Sequence, residues 1–212
     1  MQALKSSGRN RLTAFIAVLI LIPLHHASGT NDLFIENNSS GPGGIVTITF
    51  TANNSEPFNA FQFDILFPSE MEWDEGVARL TSRSVDHTLS ATLVAAGRLR
   101  VLAYSLTNSD FTGSSGSILE LDFISGVQPG SYPVTFEIAT LSGAGGNILN
   151  SINAGTFTLF APQATLSAHE IDYGRVPLLL EEFRTLTITN TGNLDLMVNS
   201  IDVSDARFSL SE

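Results

Sequence analysis

Apolar and polar residues alternate along short segments between residues 31 and 160. In segment 45–52, Val46, Ile48 and Phe50 share one face and threonines occupy the other. The segments with this period are 33–36, 45–52, 61–65, 88–94, 99–106, 118–124, 132–138 and 156–160. A period of two is typical of strands with one buried face. Many short strands with frequent turns predict an all-β jelly-roll sandwich, and we expect at most one helical turn, within 71–80.

A second set of segments follows a proline-containing connection. Proline cannot donate to a strand ladder, so Pro162 predicts a linker, which we place at 161–164. Short strands are then expected at 164–167, 178–180, 184–189, 194–201 and 207–210, with a hairpin turn at 190–193. A complete immunoglobulin-like sandwich needs roughly 100 residues. We therefore interpret 165–212 as an incomplete Ig-like β-sandwich, the fragment of a second domain.

The first 29 residues have the layout of a secretory signal peptide. Lys5, Arg9 and Arg11 precede an apolar run over 12–24, and small residues follow at 27–29. The run is shorter than the roughly 20 residues of a relaxed membrane span, although an uncleaved anchor stays an alternative. We expect no membrane span after removal of this segment, and a protein that is secreted or displayed at the cell surface.

Charge and cysteine content narrow the classes of partner. The chain has 10 basic and 21 acidic residues, and removing 1–29 leaves seven basic residues and a net charge of about −14. Such a surface repels phosphate backbones, so nucleic acid is not an expected partner. The chain has no cysteine, which favours a bacterial extracellular protein held together by packing. Arg98 and Arg100 are expected to pair across strands with Glu120 and Asp122.

Catalytic chemistry finds little support in the sequence. Beyond residue 29 there is no lysine, the only histidines are His87 and His169, and no G-x-S-x-G elbow occurs. We expect no catalytic residue, cofactor or metal ion. Acidic residues surround Trp73 over 70–75 and leave open a carboxylate pair for glycoside hydrolysis or a calcium site. The spacing lacks the order of a calcium loop, and the favoured interpretation is a solvated acidic loop with Trp73 against the sandwich.

Four stretches of the first unit resemble the cohesin family, the modules of bacterial scaffoldins that receive dockerins. The stretches are Phe61-Gln62-Phe63-Asp64-Ile65, segment 97–106, segment 116–123 with the spacing G-x-x-L-x-L-x-F, and Gly130-Ser131-Tyr132-Pro133-Val134-Thr135. Their order and spacing carry the resemblance over most of 31–160. One departure is Phe67-Pro68, where the family usually has aspartate and proline.

The resemblance implies a non-catalytic receptor that needs no cofactor and binds a dockerin-bearing protein. In that family the dockerin docks on a sheet face that includes the early aromatic strand and the central strand. Matched by motif, the partner-binding candidates are Gln62, Asp64 and Ser105.

Two other function classes stay open. The cohesin fold is shared with carbohydrate-binding modules, and fold alone does not separate the two functions. Direct glycan binding in polysaccharide catabolism would use Trp73, Tyr104 and Tyr132 as an aromatic platform on one exposed face. A structural or adhesive surface spacer is the other class. Segments 172–177 and 187–193 resemble Ig-like repeats of the ASPM–SPD-2–Hydin and choice-of-anchor type, which are generally spacers or adhesion modules.

Overall fold

The computed structural model describes residues 29–211, so the predicted signal peptide lies outside the described residues except for Gly29. Within that range the regular secondary structure is strand throughout. The strands are β1 (Asn31–Ile35), β2 (Asn38–Ser40), β3 (Ile45–Asn54), β4 (Ala60–Leu66), β5 (Met71–Leu80), β6 (His87–Ala95), β7 (Arg98–Ser105), β8 (Ser115–Ser125), β9 (Gly130–Gly143), β10 (Gly146–Asn147), β11 (Ser151–Asn153), β12 (Gly155–Leu159), β13 (Ala164–Leu166) and β14 (Ile188–Asn190). No helix among these residues is long and apolar enough to cross a membrane.

Strands β1 to β12 build two sheets that pack face to face. The smaller sheet has five strands in the order β11-β1-β3-β8-β5. The larger has seven, in the order β2-β12-β9-β4-β7-β6 with β10 beside β9. Each of the eight alternating segments matches one of these strands and extends at most one residue beyond it, so the all-β sandwich predicted from the period is confirmed.

Aromatic side chains from both sheets meet in the core. Phe50 of the smaller sheet stacks on Phe63 of the larger sheet with ring centroids 5.2 Å apart, and Phe61 stacks on Phe63 at 5.1 Å. All three are fully buried. Because alternate residues of a strand point to opposite faces, burying Phe61 and Phe63 sends Gln62 and Asp64 to the outside of the larger sheet.

The segment 71–80, where we expected at most one helical turn, is strand β5. Trp73 pairs with Phe123 of β8, and the pairing resumes only at Ala78 with Leu121. The four residues between them bulge out of the ladder, and Gly76 adopts a φ of 96° there. The inserted residues interrupt the alternation, which is why the sequence pattern does not indicate a strand.

A buried arginine joins one end of the smaller sheet to the loop before β8. The Arg83 guanidinium donates to the carbonyl oxygens of Ala52 (2.9 Å) and Thr112 (2.6 Å) and to Asn54 Oδ1 (2.7 Å). Burial lowers the pKa of Arg83. Neutral acceptors hold this cation, so it fixes the loop without a carboxylate.

The segment 162–211 forms little regular structure. It contains β13, which begins at Ala164 inside the predicted linker, and β14. The strands predicted at 178–180, 194–201 and 207–210 are wrong, and 184–189 is strand only at its end. The predicted hairpin turn at 190–193 is also wrong: Thr191 N–H donates to the Gln163 carbonyl, and the Asn193 amide donates to the Leu159 carbonyl. None of the residues 162–211 is buried.

Candidate binding face

The outer side of the larger sheet presents one continuous surface across β6, β7, β4 and β9, which we call the candidate face. Gln62 lies at its middle, with Leu102 of β7 and Thr140 of β9 as its cross-strand neighbours. The Thr140 hydroxyl donates to the Gln62 carbonyl at 3.3 Å. Gln62 is half-buried, so the structure places this predicted site residue on the face.

Asp64 lies on the same face, and two arginines enclose its carboxylate. Oδ1 accepts a hydrogen bond from Arg100 Nε at 2.7 Å, and Oδ2 accepts from Arg100 Nη2 and Arg98 Nε, both at 2.9 Å. The Asp64 side chain is only 1% exposed. We call these three side chains the Asp64 cluster.

The arginines decide the electrostatics of this position. Hydrogen bonds from Arg100, then from Arg98, lower the pKa of Asp64 to about 2, against the opposing effect of burial. The Arg100 side chain is 46% exposed, so its guanidinium forms the outer layer of the cluster. A partner that approaches the face therefore meets Arg100 before it meets the predicted Asp64.

A bulge beside the Asp64 cluster brings a second carboxylate, that of Glu137, next to the arginines. The β4–β9 register shifts between Asp64 and Ile65, and Glu137 and Ile138 are both exposed on β9 there. Glu137 pairs with Arg98 at 2.8 Å. Arg98 is thus held between two carboxylates, whereas Arg100 contacts Asp64 alone among the ion pairs of residues 29–211.

Ser105 does not join the face. It lies at the end of β7, in the alternation of the buried Val101 and Ala103. Its hydroxyl donates to Asp86 Oδ1 at 2.8 Å and accepts the backbone N–H of Ser109 at 3.0 Å. Hydrogen bonds from Thr107 and Ser105 lower the pKa of Asp86. Ser105 therefore organises a loop at the end of the sandwich.

The three aromatic residues of the carbohydrate alternative lie in three different environments. The Trp73 ring packs against the core from the smaller sheet, and its indole N–H is buried without a hydrogen bond from the described residues. The Tyr132 ring stacks on Phe157 at 6.4 Å, and its hydroxyl donates to the Gln128 carbonyl. Tyr104 alone lies on the candidate face, opposite Ala60. The structure does not bring the three onto one exposed face.

The expected pairing of Arg98 and Arg100 with Glu120 and Asp122 is wrong. Strands β7 and β8 belong to different sheets. The two acids instead bind Arg79, with Nε 2.8 Å from Glu120 and Nη1 2.8 Å from Asp122. Asp122 also accepts from the Thr47 hydroxyl at 2.7 Å. Arg79, Glu120 and Asp122, the Arg79 cluster, lie on the outer side of the smaller sheet.

The structure places His87 against an aromatic ring, and it places the acidic residues 72, 74 and 75 in strand β5. The His87 ring packs on Phe111 with centroids 3.7 Å apart, and its Nδ1 accepts the Val85 N–H. Burial lowers the pKa of His87. In residues 29–211 no group of three or more His, Asp or Glu side chains is arranged to hold a metal ion.

Sequence reasoning missed the arginines as part of the face. The signal that could have found them is the alternation along β7, where 98, 100, 102 and 104 share one parity opposite the buried residues. This parity assigns Tyr104 and both arginines to one side. The parity does not indicate which strand lies beside β7. Asp64 can be recognised as the partner of the two arginines only once β4 is known to be that strand.

Comparison with known proteins supports the fold. No family model and no curated protein matches the chain. Among solved structures, the cohesin CaCohA2 from Clostridium acetobutylicum is 18% identical with a TM-score of 0.55, over 62% of this chain and 91% of that one. A non-cellulosomal cohesin from the archaeon Archaeoglobus fulgidus gives 13% and 0.54, over 62% and 92%. The Coh-OlpA–Doc918 cohesin–dockerin complex of Clostridium thermocellum gives 16% and 0.53, over 62% and 99%.

These similarities show a cohesin-like jelly-roll sandwich, which confirms the fold class predicted for the first unit, 31–160. Identities of this size establish the fold and leave the partner to be argued from the face.

Proposed function

We propose that the sandwich 31–160 is a non-catalytic receptor module that binds a dockerin-bearing protein through the candidate face. The observation that carries the proposal is the Asp64 cluster, a set of fixed charged donors at the centre of a sheet face. Support for the type of partner comes from cohesins of the same fold, among them the C. thermocellum complex with a dockerin.

The face can bind by complementarity that exists before the partner arrives. A standard interface buries roughly 800 Å² on each partner, and strands hold the backbone of this face rigid. Arg100 donates two hydrogen bonds, from Nε and Nη2, to the Asp64 carboxylate, and these bonds fix its guanidinium. Little side-chain freedom is therefore lost when a partner carboxylate or carbonyl binds the guanidinium. Gln62 and Leu102 beside it supply a polar and an apolar contact.

The wider setting belongs to the same proposal. The predicted signal peptide would export the protein, and the sandwich would act at the cell exterior in assemblies that break down polysaccharides. The segment 165–212 would serve as a spacer or adhesion module. For direct glycan binding the structure leaves Tyr104 as the aromatic residue on the face, so we propose dockerin binding as the function.

Calorimetric titration of chain 30–212 with a panel of dockerins in calcium, beside soluble glycans, tests the proposal. We expect binding to at least one dockerin. Ile138→Ala on the face should weaken it severalfold, because this isoleucine is 48% exposed beside the Asp64 cluster. Ile124→Ala is the matched control, since Ile124 is 40% exposed on the opposite sheet. Binding to a glycan alone, or equal losses in the two variants, would contradict the proposal.

A further inference from the structure

Three of the four edges of this sandwich carry recognised protection against strand addition. The outermost strands β2 and β11 have three residues each. The outermost strand β5 is interrupted by its bulge and carries Glu72, Asp74 and Glu75. Short strands, bulges and charges are the usual means by which proteins keep edges from pairing with other chains.

The fourth edge, β6, is protected only near one end, where its register with β7 shifts between Leu93 and Ala95. It has nine residues and pairs with β7 on one side only. No charged residue and no proline occur from Thr88 to Gly97, although the chain as a whole has a net charge of −11. Leu93 and Val94 are 44% and 43% exposed. A long, uncharged edge with unpaired backbone groups is a template for another strand.

The sequence of β6 is nearly symmetric about Ala91. Counting outward from Ala91 in the segment TLSATLV, serine is matched by threonine, leucine by leucine, and threonine by valine. Leu89, Ala91 and Leu93 face inward, opposite the buried Ala103, Val101 and Leu99 of β7. An antiparallel copy centred on Ala91 would place leucine opposite leucine on the inner side and serine opposite threonine on the outer side. Such pairs stabilise sheets.

We propose that β6 pairs with β6 of a second copy of this chain around a two-fold axis at Ala91. The contact is isologous and joins the two larger sheets into one continuous sheet. A crevice of about 240 Å³ opens beside β6, lined by Trp73, Gly76, Ala78, Leu89 and Ala91. In this register Leu93 of the second copy lies opposite Leu89 and covers the crevice.

Charge and area set the strength of this dimer. The contact covers one strand on each side and is smaller than the roughly 1,600 Å² of a standard interface, so we expect dissociation at micromolar concentrations. The net negative charge and the acids of β5 oppose the approach of the copies. Added salt screens this repulsion over about 10 Å at 0.1 M, so the dimer strengthens with ionic strength.

The dimer would place two candidate faces on the same side of one sheet. Thr88, Ser90 and Thr92 alternate with the inward-facing residues of β6 and lie at the margin of the face. A two-fold axis perpendicular to the sheet keeps both outer sides together. Two linked partners could then be bound at once, with the gain in avidity that this brings.

Single-cysteine variants of chain 30–212 test the pairing, because the chain contains no cysteine of its own. In the proposed register the Cβ atoms at position 91 lie about 5 Å apart, so oxidation of Ala91→Cys should yield a covalent dimer. Thr156→Cys is the control, an exposed position on β12 in the interior of the same sheet. Equal cross-linking of the two variants would overturn the proposal.

Light scattering on the chain without cysteines gives a second test. We expect a monomer–dimer equilibrium that shifts toward dimer with salt and is abolished by Thr92→Lys, but not by Thr156→Lys. A lysine on an edge strand blocks strand addition, whereas Thr156 pairs with β9 and lies on β12, a strand with β2 on its other side. A monomer at every concentration and salt level, or a dimer that persists in Thr92→Lys, would contradict pairing through β6.

Discussion

The outer sides of the two sheets use the same residue types with opposite results. On the larger sheet, two arginines enclose one buried aspartate and turn a guanidinium outward. On the smaller sheet, Arg79 lies between Glu120 and Asp122, which are 34% and 14% exposed. The first cluster presents a fixed cation, and the second an arginine outnumbered by acids. Two features therefore decide whether such a cluster presents a cation to a partner: the number of arginines for each carboxylate, and how deeply the carboxylate is buried.

The largest difference between the clusters should appear in stability. Asp64→Asn removes a buried carboxylate and leaves two arginines side by side, which should lower the free energy of unfolding by about 2 kcal/mol. Asp122→Asn on the smaller sheet should cost less than about 1 kcal/mol, because Arg79 is 45% exposed and keeps Glu120 as a partner. Urea unfolding measures both. Equal losses would show that the enclosure of Asp64 has no special energetic effect.

Acid should abolish the same difference. The pKa of Asp64 is lowered to about 2 in the folded protein, below the ordinary value near 3.9 of the unfolded chain. A depressed folded pKa contributes stability that is complete above the unfolded pKa and is lost as the pH falls through the folded pKa. The stability gap between the parent chain and Asp64→Asn should be constant from pH 7 to about 5 and close toward pH 2. A gap that closes near pH 6 instead would implicate another group.

A smaller effect is expected at the margin of the Asp64 cluster. Glu137 is 40% exposed and pairs with Arg98, so Glu137→Gln should change the free energy of unfolding by less than about 0.5 kcal/mol. The same substitution removes a negative charge beside the arginines and should modestly raise the affinity for an acidic partner. A loss of stability as large as that of Asp64→Asn would mean that Glu137, and not Asp64, anchors Arg98.

The sequence predicts the sandwich because its strands obey a local rule. Each of the eight alternating segments, such as 45–52 with its three inward side chains, carries the information for one buried face. Strand β5 was not predicted, because the residues inserted between Trp73 and Ala78 interrupt its alternating pattern. In 178–210 the apolar pattern alone predicts strands, but Leu178 and Leu179 are almost fully exposed and nothing in the described residues covers them.

The site was predictable only in part, for a topological reason. Alternation places Gln62 and Asp64 on one side of β4, as the motif match also indicated. The pairing of Asp64 with Arg98 and Arg100 depends on β7 lying next to β4, a contact between strands more than 30 residues apart. From charge alone, Glu120 and Asp122 on β8 were equally suitable partners. The sheet order separates these alternatives, and local periodicity does not contain it.

The most direct test of the account compares one arginine from each sheet. Titration of the dockerin that binds the parent chain should show about a tenfold loss of affinity, near 1.4 kcal/mol, for Arg100→Gln. Arg79→Gln should leave the affinity within about twofold, with thermal unfolding showing that both variants are folded. Equal affinities for the two variants, or a larger loss for Arg79→Gln, would contradict the claim that the Asp64 cluster forms the centre of the binding face.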